Sequence, residues 1–163
     1  MKLMLDQLIL NHPALRGHPV DYAKSGALAF ARAGHAPPTV AKLKHDSVET
    51  SVSVEWSPQE PEKLIVLDAN RVTEDGAEAV ALSYASVSAS WVVKRRLQRG
   101  ESADWLLQNK SGWLALEVSG MISGNPRTRL IEKKQQVAQC SLPVDRLAVV
   151  VAFDAPLILA GNV

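Results

Sequence analysis

Two acidic residues, Asp104 and Glu117, flank the turn-forming cluster Asn109-Lys110-Ser111-Gly112, each within a short run that reads as a strand. The pattern predicts strands over residues 104–108 and 113–119. Pairing them about a turn centred between Lys110 and Ser111 sets Gln108 opposite Trp113, Leu106 opposite Ala115 and Asp104 opposite Glu117. Opposed residues in an antiparallel pair hold their Cβ atoms about 5 Å apart, so two carboxylates there repel unless solvent, a proton or a cation intervenes. Mg²⁺ or Mn²⁺ would meet that demand, since such a cation takes oxygen ligands and often uses one or two carboxylates plus a phosphate. The competing reading is a pair of solvated strand-end charges. Side-chain alternation gathers Trp105, Leu107, Leu114, Leu116 and Val118 on one wholly apolar face, and Asp104, Ala115, Glu117 and Ser119 on the other.

Positioning such a pair requires a sheet and helices to cover it. Residues 2–10 and 20–33 are expected to form short helices, separated and followed by Pro- and Gly-containing breakers. Residues 47–56 carry Val48, Val52, Val54 and Trp56 at even positions, the period of a half-buried strand, and the apolar run at residues 64–67 is its expected hairpin partner. From residue 74 to residue 100 the period becomes helical, with Thr73 as the expected N-cap, Glu74, Asp75 and Glu78 near its start and Lys94, Arg95, Arg96 and Arg99 near its end. This reading leaves no strand between the long helix and Asp104. Asn125 followed by Pro126 signals another helix running to about residue 139, and residues 146–153 read as a strand buried on both faces.

The stretch Ser102-Ala103-Asp104-Trp105-Leu106-Leu107, with Leu114-Ala115-Leu116-Glu117-Val118-Ser119-Gly120 after it, resembles the paired-strand signature of the PD-(D/E)xK restriction-endonuclease-like superfamily. The resemblance spans about residues 74–153. It implies an α/β fold: a restriction-endonuclease-like core of a mixed central sheet flanked by helices, here with an N-terminal helical and hairpin extension. Residues 1–163 then form a single domain, with the extension at 1–72 and the core at 73–155. It also implies that Asp104 and Glu117 ligate Mg²⁺ or Mn²⁺, with the Val118 carbonyl as a third donor and Glu78 as the acid contributed by the first core helix. Ser119 stands where the family usually carries lysine, and a neutral hydroxyl cannot supply that residue's charge. A compensating cation could come from the next helix, where Arg129, Lys133 and Gln136 share one face and would contact nucleic acid. The glutamine motif of the exonuclease-type branch is matched only in part, because Gln136 is followed four residues later by Cys140 rather than tyrosine.

The chain has 163 residues, of which 47% are apolar, enough for a real core. Its net charge of +1 excludes neither a nucleic-acid partner nor a small metabolite. No window approaches the about 18 consecutive apolar residues that span a bilayer. The lone Cys140 and the lack of a secretory signal lead us to expect a reducing, cytoplasmic setting. His12, His18, His35 and His45 lack metal-ligand spacing. Two functions follow: a divalent-metal-dependent nuclease-like protein that hydrolyses phosphodiester bonds, or an inactive nuclease-fold protein serving as a nucleic-acid-binding or assembly module. In the second, a homodimer or a protein partner would use the N-terminal layer. An unrelated small α/β protein is the third reading, its cue being the missing first core strand.

Overall fold

The computed structural model describes residues 1–59 and 68–163. Their frame is one mixed eight-stranded sheet in the order β1-β3-β2-β8-β7-β6-β5-β4, flanked by four α-helices among the described residues. The strands are β1 (Lys2–Met4), β2 (Thr39–His45), β3 (Val48–Glu55), β4 (Val92–Arg96), β5 (Trp105–Gln108), β6 (Trp113–Met121), β7 (Asp145–Ala152) and β8 (Leu157–Asn162). The helices are α1 (Leu8–Asn11), α2 (Tyr22–Arg32), α3 (Ala69–Ala89) and α4 (Pro126–Ala138). None of them is long and apolar enough to cross a membrane.

The hairpin at the heart of the sequence reading forms in the expected register: β5 and β6 pair Gln108 with Trp113, Leu106 with Ala115 and Trp105 with Leu116. Its turn is held by the Asn109 side-chain oxygen, which accepts from the amides of Ser111 (2.8 Å) and Gly112 (3.1 Å). Trp105, Leu107, Leu114, Leu116 and Val118 all join the main core beneath α2 and α3. The opposite face is not open. There Ala115 and Ala148 pack with Val137 and Cys140 from the α4 region, so β6 is covered on both sides. The N-cap at Asn125 forms as expected, its side chain accepting from Arg127 and Thr128 amides at 3.0 and 3.2 Å.

Elsewhere the structure corrects the sequence reading. Residues 2–10 do not form one helix: Leu3 points into the core from β1, which runs parallel to β3, and a 3-10 turn at Leu5–Gln7 then leads into the single turn of α1. The partner of β3 lies upstream, where β2 pairs with it antiparallel, burying Ala41 and Leu43 and turning Val40 and Lys42 outward. The strand expected at residues 64–67 lies outside the described residues. The long helix begins earlier and ends earlier than expected. Asp68, not Thr73, caps it by accepting from the Arg71 amide at 2.9 Å, and Thr73 instead bonds back to the Ala69 carbonyl. Ser90 ends it in the left-handed conformation. Val92 and Val93 then open β4, so the cations at 94–96 lie on a strand rather than at a helix terminus. The strand thought missing between the long helix and Asp104 is therefore present.

The run from α3 onward is helix, three antiparallel strands, helix, strand. β4 pairs with β5 and β5 with β6 antiparallel, and β7 returns parallel to β6 through α4. β8 then continues antiparallel to β7 and joins this half of the sheet to β2 by parallel pairing.

Candidate functional site

Asp104 is placed by the loop between β4 and β5. Glu101 anchors that loop, accepting two hydrogen bonds from the Arg95 guanidinium (2.9 and 2.8 Å) and one from the Gln98 amide (2.6 Å). The Arg95 pairing holds the Glu101 carboxyl down at about 2. Leu97 then donates to the Asp104 carbonyl, and the Asp104 amide donates to Leu116, stitching the loop to the strands on either side. From this position the Asp104 carboxylate accepts from the Val118 amide at 2.8 Å.

Glu117 faces α4. It is 2% exposed, and its Oε1 accepts a hydrogen bond from Lys133 Nζ at 2.6 Å; Lys133 also donates to the Gln136 side chain at 3.2 Å. Burial pushes the Glu117 carboxyl up to about 7; the charge of nearby Asp104 adds to the rise, and Lys133 opposes it. The structure thus brings together Asp104, Glu117, Lys133 and Gln136. Ser119, two residues beyond Glu117 and 2% exposed, lies on the same side of β6. Arg129 is turned elsewhere, pairing with Glu132 at 3.1 Å on the exposed helix surface.

Glu78 belongs to a separate group beneath α3. Its carboxylate accepts from Arg96 at 2.9 and 3.0 Å and from the Trp105 indole at 2.9 Å. Arg96 also donates to the Tyr22 hydroxyl and lies over the Trp105 ring, 4.9 Å from its centroid. Burial pushes Glu78 up to about 7 despite Arg96, and Asp104 contributes to the rise. Asp104 therefore lies within electrostatic range of both carboxylates, while both Glu78 oxygens are already engaged by its own partners. Among the described residues no three His, Cys, Asp or Glu side chains gather as a metal-binding group. An oxygen donor set here consists of Asp104, Glu117 and backbone.

Two participants escaped the sequence reading. Arg96 reads in sequence as one of the helix-end cations, and nothing local reveals that β4 carries it back to Glu78. Glu74 accepts from the Gly120 amide at 3.3 Å, on the side of β6 opposite Glu117. Its spacing of four from Glu78, which sets both on one face of α3, was a usable signal.

These raised carboxyls predict a specific pH response. A group raised from 4.5 to about 7 contributes stability that is fully present below 4.5 and is lost as pH rises through 7. Each such group contributes at most about 1.4 kcal/mol per pH unit across that window. His12, buried with a lowered pKa, works in the opposite direction over part of the range. Comparison with Glu117→Gln isolates the carboxyl: urea unfolding from pH 4.5 to 7.5 should show a smaller fall in the variant. Parallel pH dependences would defeat the assignment.

Comparison with protein-family models, curated proteins and solved structures gives no match to the chain.

Proposed function

We propose that this chain is a divalent-metal-dependent nuclease-like protein acting on phosphodiester bonds. The observation that carries the reading is the buried Glu117 carboxylate, bonded to Lys133 at 2.6 Å and raised first by its burial and then by the neighbouring charge of Asp104. Two supports come from the fold. The helix, three-strand, helix, strand run now includes the strand β4 that the sequence reading lacked. Lys133 also brings a cation to the acid pair, the compensation that Ser119 calls for.

The donor set fits a hard cation in kind: it offers oxygen only, and its two carboxylates lie close enough for the charge of one to raise the other, a repulsion that Mg²⁺ or Mn²⁺ relieves. Asp104, Glu117 and the Val118 carbonyl would hold it, and when bound it supplies Lewis-acid neutralisation of charge on a phosphate and on an attacking water. The chain's own residues do the rest. The Val118 amide orients Asp104, the covering layer of α4 keeps Glu117 away from bulk water, and Lys133 supplies positive charge on the side of β6 where the strand itself offers only Ser119. Gln136 holds Lys133 in that orientation.

An inactive nuclease-fold module is the second reading, and a specific observation favours it: the Lys133 bond already neutralises Glu117 without metal. Calorimetric titration with Mn²⁺ tests the first reading. Binding should occur in the wild type and disappear in Asp104→Ala and Glu117→Ala, and binding unchanged in both variants would defeat the metal site. Metal-dependent cleavage of single-stranded DNA, duplex DNA or RNA supports the enzyme, whereas metal binding with no cleavage of any of them favours the module.

A further inference from the structure

On the side of α4 away from Glu117 runs a groove of about 330 Å³, with β8 as its floor. Arg127 and Lys134 line it from α4, with Leu130 and Ile131 between them, and Lys44 lines it from β2. Lys42 stands on the same face of β2 as Lys44, because Ala41 and Leu43 alternate into the core. Gly161 keeps the floor low. A Cβ there would meet the end of the Lys134 side chain at 3.1–3.3 Å, so this lysine lies directly over the glycine.

Charge decides what this groove can hold. None of Lys42, Lys44, Arg127 and Lys134 makes an ion pair among the described residues, whereas Lys2, Arg95, Arg96, Arg129 and Lys133 each have a carboxylate partner. The one acid lining the groove, Asp46, is engaged by the Asn162 amide at 3.0 Å and by His45 at 3.6 Å. An amide does not cancel the Asp46 carboxylate, so four cations in two rows stand against one acid and the groove is net positive. Lys42 and Lys44 lie about 7 Å apart along their strand, or two steps at the spacing of about 3.4 Å per nucleotide in a DNA strand. Arg127 and Lys134 lie about 10 Å apart along α4.

We infer that this groove is a second anchoring surface, distinct from the acid pair, for the phosphodiester backbone of a nucleic acid. Choosing a nucleic acid over another polyanion rests on the nuclease-like reading. The groove lining contains no aromatic side chain, so it holds phosphates without stacking bases and its affinity is independent of sequence. By strand spacing the floor at β8 lies about 10 Å from β6, so a chain anchored here passes beside α4 at the level of Glu117.

Fluorescence anisotropy of labelled single-stranded and duplex DNA, in EDTA and at low salt, tests the inference. The triple variant Lys42→Gln, Lys44→Gln, Lys134→Gln should lose at least about tenfold in affinity, with the salt dependence shallower by about one unit per lysine that contacts a phosphate. Lys94→Gln with Lys110→Gln, removing exposed cations elsewhere, should bind as wild type. Equal losses in the two sets, no loss in the triple variant, or stronger binding of polyglutamate than of DNA would each overturn the proposal. The triple variant should still bind Mn²⁺ as the wild type does. Failure at the metal and failure at the groove are therefore separately visible.

Discussion

Arg96→Met should lower stability at neutral pH by about 2–3 kcal/mol, less than the loss on breaking a fully buried pair because Arg96 is itself partly solvated. In a chain of this size that is a fall in Tm of about 5–10 °C. The cause is the partner left behind. Glu78 has 8% of its side chain exposed and would keep only the Trp105 indole as a donor, while Tyr22 would lose the guanidinium bonded to its hydroxyl. The deficit must depend on pH, and its sign follows from the direction of the shift. Burial already holds Glu78 up at about 7 with Arg96 opposing the rise, so removing Arg96 raises it further. The variant is then least impaired below 4.5, where Glu78 is protonated in both folded and unfolded chains, and most impaired above 7. Thermal unfolding at pH 4.5 and pH 8 checks this. Adding Glu78→Gln should recover much of the loss at pH 8 by removing the stranded charge. A deficit of equal size at both pH values, with no recovery in the double variant, would show that Arg96 acts by packing alone.

That pair also marks where the sequence stopped being readable. The β5–β6 register was legible because a four-residue turn with Asn at its start fixes which residues face one another, and Asn109 performs that role through two short hydrogen bonds. The start of α4 was legible for the same reason, since Asn125 and Pro126 act on their immediate neighbours. The end of α3 was not. No glycine or proline stands at residues 89–91, and the cations that follow imitate the charge order of a helix C-terminus; Ser90 makes the break with its own left-handed backbone. β2 was missed although Val40, Lys42 and Lys44 alternate with Ala41 and Leu43 and its partner β3 is the next strand, because the tight turn between them carries no glycine and is made by Asp46 in the left-handed conformation. In the candidate site, the acids were visible as a spacing. The engagement of Glu78 by Arg96, and of Glu117 by Lys133, depends on helices crossing opposite faces of the sheet, which no local pattern encodes.

The closest of those crossings gives the other large effect: Gly120→Ala should cost about 3 kcal/mol, at the upper end of what overpacking usually imposes. Gly120 lies in β6 just past Ser119, where α3 descends onto the sheet. A Cβ at this position would stand 2.2 Å from the Thr73 carbonyl oxygen, 2.8 Å from its carbon and 3.0 Å from the Ala77 methyl. Two of those atoms are helix backbone, so the methyl cannot be accommodated by a rotamer change. The helix must lift from the strand. Lifting it would also carry Glu74 away from the Gly120 amide and Glu78 away from Trp105, loosening the side of the sheet opposite Glu117. Gly161→Ala is the appropriate control, since its nearest contacts are the end of the Lys134 side chain, which can swing aside. That variant should lose less than about 1 kcal/mol. Urea unfolding of both measures the contrast. Ala77→Gly in the Gly120→Ala background should not restore stability, because it relieves the methyl contact and leaves the carbonyl clash. Similar stability of the two glycine variants, or full rescue by Ala77→Gly, would show that α3 does not approach β6 through its backbone at this point.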